Sequence, residues 1–102
     1  MIQVKLLKSN NNIISLTISG HADSAPYGQD LVCAGVSCVG IGLINSLDEL
    51  VEGSCDLTYQ DNLIKIKVIK DSNRVQDILK VGLIQLKTIQ QQYSKYLEIQ
   101  GG

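Results

Sequence analysis

The chain has 102 residues, enough for one hydrophobic core and too few for two, so a single domain with one site is expected over residues 1–102. With 44% apolar and 19% charged residues, the composition excludes a disordered, collagenous or low-complexity chain. Nine basic against ten acidic residues leave a net charge of −1, without the uniform positive field that dominates binding to nucleic acids and anionic membranes.

Ile2, Val4 and Leu6 alternate along Ile2 to Lys8. Ile14, Leu16 and Ile18 alternate after the Ser9-Asn10-Asn11-Asn12 turn cluster, and the two runs predict a β-hairpin. Gly20 to Gly28 contains Pro26 and small or polar residues, follows neither period, and reads as a loop. From Asp30 the period changes. Val32, Val36, Val39, Leu43, Leu47 and Leu50 fall at three- and four-residue spacings, predicting a helix with Asp30 as N-cap and Gly53 beyond its end. Gly35, Gly40 and Gly42 inside it each cost about 1 kcal/mol of helix propensity relative to Ala, and they predict close approach of another backbone. Cys55 to Tyr59 and Leu63 to Ile69 predict a second hairpin about Gln60-Asp61-Asn62, with Ile64, Ile66 and Val68 opposite Lys65 and Lys67. Asp71-Ser72-Asn73 is a capping signal for a second helix, whose stripe is Val75, Ile78, Leu79, Gly82, Leu86, Ile89 and Tyr93. A short strand, Tyr96 to Gln100, closes the chain.

The order β-β-α-β-β-α-β predicts the α+β class, a two-layer sandwich with a mainly antiparallel sheet and two helices. Leu63 and Ile69 beside the lysines, and Ile41 and Ile44 off the first helical stripe, leave apolar surface that a second subunit could cover. No run of eighteen apolar residues occurs, so no transmembrane helix is expected. The opening MIQVKLLKSN has no signal-peptide pattern, and with three cysteines a disulfide framework is not expected.

Imidazole chemistry in this chain has one candidate, because His21 is its only histidine. His21 stands at the exit of the second predicted strand and Cys33 in the first turn of the predicted helix, joined by a loop that could fold their side chains together. A helix N-terminus favours thiolate over thiol and offers free N–H groups to an oxyanion. In such a pair His21 takes the Cys33 proton, the thiolate attacks a peptide carbonyl, and the imidazolium protonates the leaving amine. Asp30 or Asp23 could orient the histidine, although helix capping accounts for Asp30 as well. Ser37 follows Cys33 by one turn, where a small residue for helix packing is an equal explanation. Cys38 and Cys55 lie in apolar patterns and read as core residues. One histidine with scattered cysteines lacks paired ligand spacing, so neither a metal nor any other cofactor is expected. Gly40-Ile41-Gly42 is no dinucleotide fingerprint, and four dispersed tyrosines make no base-stacking platform.

The run Gly20-His21-Ala22, then Tyr27-Gly28, then Asp30-Leu31-Val32-Cys33-Ala34-Gly35-Val36-Ser37, resembles the signature of the ribosomal-processing cysteine protease family Prp. The likeness extends over the whole chain, including the Tyr93-Ser94-Lys95-Tyr96 run. It implies a catalytic dyad of His21 and Cys33, with Asp30 and Ser37 matching the family's aspartate and serine. It also implies a small cytoplasmic bacterial homodimer that removes the N-terminal extension of the large-subunit ribosomal protein numbered twenty-seven. No direct contact with nucleic acid or membrane is implied. The substrate loop would be Ala22, Asp23, Ser24, Ala25, Pro26, Tyr27, Gly28 and Gln29, with Tyr27 a contact for an apolar substrate side chain. The sequence departs from the family's pattern at Cys38-Val39-Gly40-Ile41-Gly42, where larger apolar residues are common, and at Ser94, where proline is frequent. Two other classes fit the same residues. A non-catalytic ribosome-assembly module would make Cys33 an inert core residue, and a redox-sensing thiol protein would use Cys38 or Cys55 as resolving partner.

Overall fold

Asn10 and Asn11 sit at φ 52° and 68°, the left-handed conformation that both central residues of a type I′ turn require and that asparagine tolerates. They join β1 (Ile2–Ser9) to β2 (Asn12–Ser19), and the chain continues through α1 (Tyr27–Leu50), β3 (Cys55–Gln60), β4 (Leu63–Val68), α2 (Asn73–Gln92) and β5 (Leu97–Gln100). The structure is a computed structural model that describes residues 1–20 and 27–101, the side chains of residues 27–30 excepted. The α+β sandwich expected from the sequence is the architecture observed, in the expected order of elements.

The sheet order is β3-β4-β2-β1-β5, with three antiparallel pairs and a parallel pair of β1 and β5. The pairings make β2 parallel to β3 and β4 parallel to β5, so each helix is a crossover between parallel strands. One crossover runs toward the β3 edge and the other toward the β5 edge, from strands of opposite direction. A right-handed path for both therefore puts both helices on one face. The core lies between, built from Ile2, Val4, Leu6, Leu16, Ile18, Ile64 and Ile66 of the sheet and Val32, Val36, Leu43, Leu47, Val75, Leu79 and Leu86 of the helices.

Within this frame several sequence expectations need correction. The β1–β2 register shifts between Leu7 and Lys8, which pair with Ser15 and Ile13 and leave Ile14 as the extra residue of a bulge. Ile13 is thereby buried and Ile14 exposed, the reverse of a plain alternation through Ile14. On α1 the stripe ends before Leu50, which is exposed, and Gly40 occupies the core-facing position between Val36 and Leu43. A Cβ on Gly40 would lie 2.6 Å from Ile64 Cδ1 and 3.1 Å from Ile18 Cδ1, so this glycine accommodates side chains of the sheet rather than another backbone. Gly42 has nothing within 4 Å of such a Cβ, so no close approach explains it. The 20 residues Leu31–Leu50 are long and apolar enough to cross a membrane, contrary to the expectation from run length, because glycines and serines interrupt the aliphatics without adding charge. In the fold, the apolar stripe of this helix packs on the sheet and α2.

The start of α2 follows its sequence signal. Ser72 is the N-cap, its hydroxyl accepting from the Val75 N–H at 3.1 Å. One turn in, the buried Gln76 side chain accepts from the Ile13 N–H and donates to the Ile13 carbonyl, both at 2.8 Å, and donates to Asp71 at 2.9 Å. The amide thus satisfies backbone groups beside the bulge and ties the first turn of α2 to β2.

Candidate active site

Helix α1 begins at Tyr27, so Tyr27, Gly28, Gln29 and Asp30 are helical. This corrects two expectations: Asp30 is not the N-cap, and Tyr27 to Gln29 are not loop. Cys33 consequently sits in the second turn, not the first. In a regular helix its N–H bonds back to the Gln29 carbonyl and is not a spare oxyanion donor. The macrodipole also falls off within the first turn, which weakens the proposed help from the helix end.

What the fold does give Cys33 is a cavity. The half-buried Cys33 lines a space of about 250 Å³ at one end of the sheet, together with Ser37 one turn along the same helical face. Ile2, Ile18, Val36 and Ile64 make its apolar floor, and Gly20 closes the β2 side. The remaining wall is the end of β3 and the β3–β4 turn, Tyr59 to Asn62, where the sequence marked Gln60-Asp61-Asn62 as a turn but no part of a site. No local signal identifies it. It reaches Cys33 because β4 pairs directly with β2, and the Gly20 N–H donates to the Asn62 carbonyl at 3.2 Å.

Gly20 explains the first letter of the histidine motif. Its φ is +86°, and a Cβ would lie 2.7 Å from the Met1 carbonyl oxygen, so a side chain would be both strained and in collision with backbone. The chain can leave β2 this close to β1 only as glycine. His21 is joined to this cavity-lining residue by one peptide bond. His21, Ala22, Asp23, Ser24, Ala25 and Pro26 lie outside the described residues.

The other two cysteines differ from expectation and from one another. Cys38 is an exposed free thiol rather than a core residue, because it lies about 200° around α1 from Val36. Cys55 is a half-buried free thiol, and burial pushes its pKa up, with Asp71 and Asp56 adding to the rise. A hydrogen bond from the Ser54 hydroxyl at 3.5 Å works in the opposite direction. Of the three thiols, Cys33 is the one that lines the cavity shared with Gly20.

A profile of the family described as cysteine protease Prp matches residues 1–98. The chain belongs to the Prp family of cysteine proteases. The ribosomal processing cysteine protease Prp of Staphylococcus aureus (strain Mu50) is 32% identical over 103 residues, 97% of each chain. The crystal structure of Prp from S. aureus with a covalently linked product peptide matches at a TM-score of 0.85 with 30% identity, over 97% of both chains. The S. aureus enzyme with a substrate peptide matches at 0.88 with 29% identity, also over 97% of both. As a Prp family member this protein is a cysteine protease.

Proposed function

We propose that this protein is an endopeptidase that uses a dyad of Cys33 and His21 to remove the N-terminal extension of the large-subunit ribosomal protein numbered twenty-seven. The observation that carries the reading is the Cys33 cavity, whose wall includes Gly20, the residue to which His21 is attached. The S. aureus relative crystallised with a substrate peptide supports a peptide as substrate. His21 accepts the Cys33 proton, and the thiolate adds to the scissile carbonyl. The tetrahedral intermediate collapses as imidazolium protonates the leaving amine, giving a thioester and the first product. Water activated by His21 then adds to the thioester, releasing the second product and restoring the thiol. Asp30 and Ser37 support the dyad by orienting or packing against it. Ala22 to Pro26, with Tyr27, Gly28 and Gln29 at the helix start, contact the substrate. The reaction needs no cofactor and no nucleic acid, and it takes place in the bacterial cytoplasm.

The same reading includes a homodimer. Its support is an apolar groove of about 390 Å³ between α1 and α2, lined by Cys38, Val39, Leu43, Leu50, Ile78 and Val81, of which Leu50 and Val81 are exposed. The deciding experiment is cleavage of a peptide spanning the ribosomal-protein extension. Cys33→Ala and His21→Ala each abolish it, while Cys38→Ala and Cys55→Ala leave it largely intact. Cleavage by the Cys33→Ala protein at the unaltered rate would overturn the assignment.

A further inference from the structure

The β3–β4 turn brings to the Cys33 cavity the one acidic side chain among its described lining residues, Asp61. Its neighbours on that wall, Tyr59, Gln60 and Asn62, are neutral, as is Ser37 across the cavity. Asp61 is exposed and forms no side-chain hydrogen bond or ion pair with the described residues, so its charge is not already matched within them. The turn that carries it is also held in place. Gln60 pairs with Leu63 at its base, Asn62 takes the left-handed conformation at φ 62°, and the Asn62 carbonyl accepts from Gly20. The carboxylate therefore stands at a fixed side of the cavity and is not carried on a long swinging loop.

We infer that Asp61 is a specificity-determining residue, which favours peptides with a cationic side chain at one of the few positions flanking the cleaved bond. The inference rests on the endopeptidase reading above. An exposed carboxylate attracts a passing ammonium only modestly, and salt screens the attraction, so the effect is a preference expressed through KM rather than a requirement.

The test uses the full chain and matched peptides that carry Lys, Gln or Glu at one position at a time on either side of the cleaved bond. The unaltered protein prefers Lys to Glu at one position by roughly fivefold in kcat/KM at low salt, the size of an exposed charge interaction, and the preference shrinks at high salt. Asp61→Asn, which keeps a residue suited to the turn, brings that ratio close to unity, and Asp61→Lys inverts it. A ratio unchanged in both variants, with all peptides slowed alike, gives Asp61 a structural role and overturns the inference. So does the absence of any Lys preference in the unaltered protein. If the unaltered protein cleaves none of the peptides, it is the endopeptidase reading that fails, and the inference fails with it.

Discussion

Gln76 and Gly20 show how single residues hold the framework around the cavity. Removing the Gln76 amide leaves the N–H and carbonyl of Ile13 without their partner in a buried setting. Gln76→Ala should lower unfolding free energy by about 2–4 kcal/mol, measured by urea denaturation, because buried backbone groups lose their bonds and water cannot replace them. Gly20→Ala should cost about 1–3 kcal/mol from the left-handed φ and the contact with the Met1 carbonyl, and should also slow peptide cleavage by disturbing the attachment of His21. Cys55 provides a pH test. Its raised pKa means the folded state holds the thiol proton more tightly than the unfolded chain, whose thiol titrates near 8.5. The contribution to stability is complete below that value and is lost as pH rises through the higher folded pKa. Alkylation of Cys55 in the folded protein should accordingly lag that of the same thiol in the urea-unfolded chain between about pH 7 and 9, and Ser54→Ala should widen the lag by removing a bond that favours the thiolate.

Between elements, α1 packs closely against α2. A Cβ on Gly82 would lie 2.6 and 2.7 Å from Leu43 Cδ2 and Cγ, so the Leu43 side chain rests directly on the backbone of α2. Gly82→Ala gains about 1 kcal/mol of helix propensity but forces Leu43 aside, and overpacking of that kind costs about 1–3 kcal/mol. Net destabilisation is the expected result in chemical denaturation, and Leu43→Ala in the same background should reduce the penalty if the clash is its cause. Much of this level was legible beforehand. The Ser72 cap, the asparagine turn and the aliphatic stripe of α2 are local signals and appear where the spacing put them. The start of α1 was not, because Tyr27-Gly28-Gln29 carries no helical period of its own and follows a proline. The bulge at Ile14 was also hidden, since an extra residue in a strand has no mark in an all-aliphatic pair such as Ile13-Ile14.

Across the whole molecule, the apolar groove between α1 and α2 is the surface that the proposed homodimer would bury. Charging the groove with Val81→Lys or Leu50→Lys should convert the proposed dimer to a monomer in analytical ultracentrifugation, and a species of unchanged mass would remove this groove from the interface. The opposite face of the molecule is built differently, since Lys5, Lys65 and Lys67 stand exposed on the sheet away from the helices.

By itself the sequence determined the order of elements, the α+β class and the His21 and Cys33 motifs, because local periodicity, turn chemistry and a single histidine are properties of neighbouring residues. Only the tertiary structure decided that β4 lies beside β2, bringing Tyr59 and Asp61 to Cys33 across a separation no local pattern encodes. It also decided that Cys38 is solvent-facing and Cys55 half-buried, although both lie among aliphatics in the chain. Burial depends on which side of an element meets the sheet, and that is settled by the handed crossovers that stack both helices on one face.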